Sequence, residues 1–351
     1  MKFRARIEKL VRWTNVLLIL CSFLAYLSPY VNPDKFWVLS FFGLAFPWLL
    51  LGNLFYVIFW LVKRKRYFLF SLGCILLGWN HVDSFVGLSM VNFAKAEKPL
   101  HVMSYNIHGL RSLQVKDAAQ RDLKENAFLR FLIQDGPLDV FCAQECSRAN
   151  ESFIATSLQF PYFHRAGYSG AVIFSKHPIV DKGELKFKKS GNAVAWADLQ
   201  IGEQVVRVYS AHLQSTSVSP LADKVMTEGD LQEKETWLNI KGMLGRVKAA
   251  TQRRAHQAAA LADHLAQSPH PVLLCGDFND NPQSYSYRLL TRQLNDAFRK
   301  KGAGLGTTYA GSIPALRIDY ILSDPRFRVN EHSIYREDYS DHYPVRASLS
   351  L

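Results

Sequence analysis

A short apolar run, Val272-Leu273-Leu274-Cys275, stops at Gly276 and is followed at once by Asp277, Asn279 and Asp280. In an extended chain, residues two apart point to the same side. Asp277 and Asn279 would therefore present a carboxylate and a carboxamide together, an arrangement suited to gripping a cation or a phosphate. The same residues would also serve a turn that caps its own backbone, the role expected of Asp280. Comparable groups recur along the chain: Asn106, Glu145, His212 and the pair Asp341-His342. Carboxylate and amide oxygens suit a hard cation such as Mg²⁺, which keeps waters and meets only a few protein ligands. Two histidines on separate elements can act as acid, base or phosphate donor near neutral pH. Asp319, between Ile318 and Tyr320, is a carboxylate within an apolar run and requires a partner. No cysteine pair or histidine pair has the spacing of structural zinc.

The elements that must position these groups read as strands mixed with helices. Leu100–Tyr105 is strand-like and ends at Asn106, and Leu138–Ala143 ends at Gln144-Glu145. Ser169–Ser175 is a further strand. Ala193–Ile201 and Gln204–Ala211 alternate as a hairpin turning at Gly202-Glu203, with His212 at its end. Arg121–Gln134 has helical apolar spacing, and an alanine-rich helix runs to about Gln267. Leu316–Leu322 and Val345–Leu351 read as strands, and Asp341-His342 sits just before the last one. Ser215–Gly245 reads as a long polar insertion emerging beside His212. An α/β layered domain over residues 99–351 is expected, with the polar groups gathered at strand ends, where ligand sites assemble.

In this order the motifs MSYNIHG (103–109), AQE (143–145), GAVIFSKHPI (170–179), YSAHLQS (209–215), GDFND (276–280), RIDYIL (317–322) and SDHYPV (340–345) resemble the endonuclease/exonuclease/phosphatase superfamily. That superfamily includes deoxyribonuclease I, apurinic endonucleases, inositol polyphosphate 5-phosphatases and neutral sphingomyelinases. The resemblance covers 99–351. It implies a four-layer sandwich of two mixed β-sheets flanked by helices, and Mg²⁺-dependent hydrolysis of a phosphoester, with Mn²⁺ able to substitute. It also implies Glu145 as principal metal ligand beside Asn106 and Asp341, and His342 acting on the attacking water or the phosphate, oriented by Asp319. His212 would donate to a phosphate oxygen or to the leaving group, Asp277 would position the nucleophile, and Asn279 would bind the scissile phosphate. Apurinic endonucleases carry an acidic residue two places beyond the first Asn; His108 stands there in this chain, which argues against abasic-site repair. The active-site Tyr of those enzymes has no fixed counterpart, Tyr168 lying in a plausible stretch.

Charge divides the chain near residue 98. Residues 1–98 hold 12 Lys+Arg against 4 Asp+Glu, whereas 99–351 hold 30 against 26. The net +12 is therefore no nucleic-acid footprint on the larger part. Residues 1–92 read as a transmembrane module with three helical spans at about 13–32, 36–62 and 67–88, joined by a linker at 93–98. Lys2, Arg4, Arg6, Lys9 and Arg12 precede the first span, and Lys63-Arg64-Lys65-Arg66 follows the second. By the positive-inside rule both clusters are cytoplasmic, giving a multi-pass membrane protein with its catalytic domain outside the cytoplasm. The expected partners are the lipid bilayer and a phosphoester, either extracellular nucleic acid or a phospholipid head group; no protein partner is evident. A non-catalytic, membrane-displayed binding module is the remote alternative.

Overall fold

The structure, a computed structural model, describes residues 2–89, 99–167, 169–188, 190–216, 233–311 and 315–351. The expected linker 93–98, Tyr168 and most of the insertion, 217–232, lie outside the described residues. The N-terminal part consists of helices α1 (Lys2–Leu27), α2 (Pro33–Phe36), α3 (Leu39–Leu44), α4 (Phe46–Val62), α5 (Phe68–Leu77) and α6 (Trp79–Val82), then strand β1 (Val86–Leu88). α1, α4 and α5 pack on one another. Between them Asn15 donates to Ser71 (2.7 Å) and accepts from Trp60 (3.0 Å), and Asn53 donates to Ser22 (2.8 Å).

The three-span expectation is corrected here. Among the described residues one helix, Arg6–Tyr30, is long and apolar enough to cross a membrane, by length and composition alone. The uncharged run 36–62 is not one helix: the chain breaks at Ala45, and Pro47 sits in the first turn of α4, the one place where its missing N–H is harmless. What remains in α4 is 17 residues. α5 ends at Gly78 after 10 residues, about 15 Å at 1.5 Å per residue.

The larger part continues with β2 (Leu100–Asn106), α7 (Ala118–Leu132), β3 (Val140–Gln144), α8 (Arg148–Ser157), β4 (Tyr162–Arg165), β5 (Val172–Ser175), β6 (Ile179–Lys186), β7 (Ala193–Ile201) and β8 (Gln204–His212). Then come α9 (Lys234–Ala266), β9 (Val272–Asp277), α10 (Tyr285–Leu290), β10 (Asn295–Asp296), α11 (Ala297–Lys301), β11 (Ala303–Leu305), β12 (Asp319–Ser323), β13 (Arg328–Ile334) and β14 (Val345–Ser350). The alanine-rich helix thus begins near 234, inside the stretch expected to be insertion.

Two six-stranded mixed sheets face each other, in the orders β10-β12-β9-β8-β7-β6 and β13-β14-β2-β3-β5-β4. Their inner faces meet through residues such as Val102, Cys142, Ile173, Val208, Cys275 and Ala347. Phe128 and Leu132 of α7 and Ile154 of α8 cover the outer face of one sheet. Ala258 and Leu261 of α9 and Leu290 of α10 cover the other. These are the α/β layers of two mixed sheets between helices that the sequence suggested. Cys142 and Cys275 are small buried thiols inside that core.

The topology gathers the chemistry. The central pairs β2–β3 and β8–β9 are parallel, so their C-terminal ends share one edge. Asn106 is in register with Gln144, and His212 with Asp277. β12 and β14 are antiparallel to their neighbours, so their N-terminal ends reach the same edge. Asp319 pairs with Asp277, and Val345, just past His342, pairs with Ser104.

Candidate active site at the common edge of the two sheets

Asn106 stands at the centre. Its carboxamide Nδ2 donates to Glu145 Oε1 (3.1 Å) and to Asp277 Oδ2 (3.0 Å), and lies 3.5 Å from His342 Nε2. One amide thus ties a carboxylate from each sheet. Its Oδ1 accepts the backbone N–H of His108 at 3.1 Å. Asp277 is 1% exposed, whereas the side chains of Glu145 and Asp341 are 38% and 39% exposed. The buried carboxylate forms the floor and the other two form the mouth.

The backbone is shaped to deliver these groups. Glu145 and Asn279 both have φ of 51°, a left-handed conformation that non-glycine residues adopt at a cost and keep mainly at functional sites. Gly276, at φ 151°, passes so close to β8 that an added Cβ would lie 2.1 Å from the carbonyl oxygen of Ala211; glycine is required there to bring Asp277 level with His212. Asn279 is fixed twice on Asp277: its N–H donates to Oδ1 (2.7 Å) and its Nδ2 to Oδ2 (3.0 Å), with a further bond to the Leu213 carbonyl. Ser340 donates to the Asn106 carbonyl (2.7 Å) and accepts from the His342 N–H (3.2 Å), pinning the last loop to the end of β2.

His342 Nδ1 lies 3.0 and 3.2 Å from the two oxygens of Asp319, and its Nε2 faces Asp277 Oδ2 at 3.7 Å. Burial opposes charge on the imidazole, but the Asp319 and Asp277 carboxylates outweigh it and raise its pKa well above the ordinary range. Asp319 is fully buried, and the N–H groups of Ile318 and Asp319 converge on Thr308 Oγ1. Tyr309 packs edge-on against the His342 ring, 5.4 Å between centroids. His212 Nε2 stands 3.7 Å from Asp277 and 3.9 Å from Glu145.

All eight residues singled out in the sequence therefore lie along one edge. Asn106, Glu145, Asp277, Asn279, Asp319, His212 and His342 are linked by contacts of 4 Å or less. Asp341 is held differently, 3.0 Å from His108 Nδ1. The tightest cluster of possible ligands is Asp277, Asp319 and His342, rather than Glu145 with Asp341. Sequence reading missed several participants. Gln144 bridges the sheets through Ser210 (3.1 Å), and Thr308 props Asp319. Asp280, expected only to cap a turn, pairs at 3.1 Å with the buried Arg254 of α9. No local signal marked Arg254, because its partner is distant in sequence and its neighbours read as a solvated helix face.

Two layered sheets whose central strand ends carry this Asn/Glu/His/Asp set define a class of phosphate-ester hydrolase. The family description Endonuclease/Exonuclease/phosphatase family matches residues 103–342, and the chain belongs to that family. A second description, Domain of unknown function (DUF8431), matches residues 8–85. Among curated proteins none matches the chain significantly. Solved structures of similar fold include a humanized D. rerio TDP2 (16% identity, 72% of this chain and 99% of that one, TM-score 0.53). They include an endonuclease/exonuclease/phosphatase from Bacteroides vulgatus (15%, 73% and 100%, TM-score 0.53). A third is the Bacteroides thetaiotaomicron mannosyl-6-phosphatase Bt3783 (19%, 72% and 100%, TM-score 0.50).

Proposed function

We propose that this protein is a membrane-anchored, divalent-cation-dependent phosphoesterase. The observation that carries the reading is the convergence of Asn106, Glu145, His212, Asp277, Asn279 and the Asp319–His342 pair on one edge. The donor set fits Mg²⁺: carboxylates at the mouth, a neutral amide between them, and no thiolate. Glu145 is the principal ligand in this reading, with Asp341 beside it and Asn106 joining through Oδ1 once its amide turns from the His108 N–H; Mn²⁺ would serve the same oxygen donors. A bound cation would offset charge on the phosphoryl oxygens. The chain's own residues do the rest. Asn279, held beside Asp277 by that carboxylate and the Leu213 carbonyl, would turn one of its two amide N–H groups from these partners to a phosphate oxygen. Asp277 orients the attacking water. His342, held by Asp319, carries a proton toward the phosphoryl group, and His212 donates to a phosphate oxygen or the leaving group.

Membrane attachment follows from the surface of α1, α4 and α5. Leu17, Leu20, Leu51, Phe55, Ile58 and Leu77 are all more than half exposed, a continuous apolar coat that water does not tolerate on a soluble domain. In this reading α1 crosses the bilayer and α4 and α5 lie beside it. Lys65 pairs with Glu8 (3.1 Å), and Arg12 donates to Tyr67 (3.3 Å), so the two basic segments share one end of the bundle. The catalytic part meets the other end, through Asp34–His256 and Asp83–Arg299. The positive-inside rule then puts the catalytic part outside the cytoplasm.

The test uses the full chain and bis-p-nitrophenyl phosphate. Mg²⁺-dependent turnover, lost in Glu145→Ala, is expected; turnover that persists in Glu145→Ala without metal overturns the reading. Single-stranded DNA is the competing substrate, since one structure of similar fold is a TDP2 complexed with single-strand DNA product.

A further inference from the structure

The segment that links α1 to α4 does more than connect them. Pro33, Ser40 and Leu44 line the cleft that has Asp277 and His342 at its floor and Glu145 at its mouth. Val247, Thr251 and Arg254 of α9, which packs on α2, line it as well. The cleft encloses about 160 Å³, room for a phosphate group and a few waters, since each water occupies about 30 Å³ in the liquid.

The N-terminal segment is seated on the catalytic part by direct contacts. Asn281, two residues beyond Asn279, donates to the Gly43 carbonyl at 3.0 Å. An added Cβ at Gly43 would lie 2.6 Å from the Gln283 carbonyl and 2.5 Å from Ser28 Oγ, so α3 meets the loop as closely as backbones allow. Gln252 donates to the Pro33 carbonyl (3.4 Å), His256 pairs with Asp34 (2.9 Å), and the Arg288 guanidinium lies 4.0 Å over the Tyr30 ring. β1 adds a short ladder with β11.

In the membrane-anchored reading, the ends of α1, α4 and α5 near this segment would lie at the membrane surface. Tyr30, Phe36, Trp48 and Trp79 are exposed at the end of the apolar bundle that faces the catalytic part, where a bilayer's aromatic belt sits. On α9, Trp237, Leu238 and Leu244 are also exposed. The catalytic cleft is thus bounded on one side by residues at the lipid–water interface.

We infer that the N-terminal helices form part of the substrate site, and that the substrate is a lipid-linked phosphoester whose hydrocarbon stays in the bilayer while its phosphate enters the cleft beside Ser40 and Leu44. This rests on the phosphoesterase reading above. Membrane anchorage then lowers the cost of association, because enzyme and substrate are already confined to one plane. A nucleic acid gains nothing from that segment.

The experiment places the full chain in phosphatidylcholine vesicles and follows phosphate or head-group release. The probes are dioleoyl phosphatidic acid, dioleoyl phosphatidylglycerol and a polyprenyl phosphate in the same bilayer. Dihexanoyl counterparts of the two glycerolipids and bis-p-nitrophenyl phosphate are given in water. At least one bilayer probe is expected to exceed the soluble diester in kcat/KM by tenfold or more, and a glycerolipid so preferred should exceed its dihexanoyl form likewise. The arm that responds separates glycerolipid from polyprenyl substrates. Leu44→Lys and Ser40→Lys should each lower the ratio of lipid to soluble-diester kcat/KM at least tenfold; misfolding would lower both rates together and leave the ratio intact. Leu44→Ser replaces Leu44→Lys if both lysine variants lose both rates. A ratio unchanged in either variant while its soluble-diester turnover stays within threefold of the unmodified protein overturns the inference. So does turnover of the soluble diester with no bilayer probe hydrolysed. If no phosphoester is hydrolysed in a Glu145-dependent way, the phosphoesterase reading itself has failed.

Discussion

Asp319→Asn is the perturbation that separates a positioning role from a structural one. The Asp319 carboxylate is buried, within 3.0 and 3.2 Å of His342 Nδ1, and clustered with the Asp277 carboxylate. Opposite charges at that distance attract by about 5 kcal/mol at an effective dielectric near 20. Much of this offsets the burial of both groups, so it bounds the effect and does not measure it. The amide is nearly isosteric, so the fold should persist. It leaves His342 without the charge that favours its protonated form, and it presents Nδ1 with either a donor or an acceptor, fixing the wrong tautomer as readily as the right one. General acid–base steps contribute roughly 10²–10⁴ in rate. We expect kcat on bis-p-nitrophenyl phosphate to fall by about 10²–10³, with KM changed by less than threefold. In a His342→Ala background the same change should cost less than threefold, because residues that act as a unit are not additive. A kcat within threefold of the unmodified protein, or a loss in Asp319→Asn that multiplies with that of His342→Ala, would refute the assignment.

Asn106→Asp replaces the amide that donates to Glu145 and Asp277 with a third carboxylate. Like-charge repulsion at about 3 Å should lower kcat/KM by about 10² or more at neutral pH, and activity within threefold of the original would show that the bridge is dispensable. Asp296→Asn tests the buried pair with Arg317, held at 2.5 Å and supported by Tyr287. Leaving the guanidinium unpaired should cost about 3–5 kcal/mol. Burial pushes Asp296 upward, but Arg317 outweighs it and sets its pKa below the ordinary value. A carboxylate with a lowered folded pKa stabilises above its unfolded value, near 3.9, and loses that contribution as pH falls through the folded value. The stability gap between the two proteins, read from denaturant midpoints, should therefore be full at pH 6 and shrink below about pH 4. A gap independent of pH would exclude the ion pair as its source.

The catalytic edge was legible because each functional group interrupts an apolar run. Asn106, Glu145, His212 and Asp277 are polar residues where a strand stops, and such punctuation survives without knowledge of the pairing. What hides from a linear reading is anything that depends on which face meets what. β6 carries Lys182, Glu184 and Lys186 and reads as a basic tract, because it is an edge strand with much of its surface in water. The start of α9 exposes Trp237, Leu238 and Leu244, so its apolar residues do not trace a buried helical face. The break at Ala45 is concealed by uniform apolarity on both sides, and only Pro47 hints at it. Arg254 and Asp280 are joined only by folding.

The break at Ala45 separates α3 from α4. Ser40 and Leu44 precede that break and line the cleft beside the loop after β9. α3, before the break, rests against Asn281, so this N-terminal segment and the loop after β9 line one cleft. The same loop begins at Asp277, which Asn106 ties to Glu145 across the two sheets. A displacement of α3 would therefore reach the catalytic carboxylate through only a few residues of backbone, Asn281 to Asp277. Gly43 and the loop after Asp277 thus meet through the Asn281 amide, the contact at which the N-terminal helices touch the candidate site.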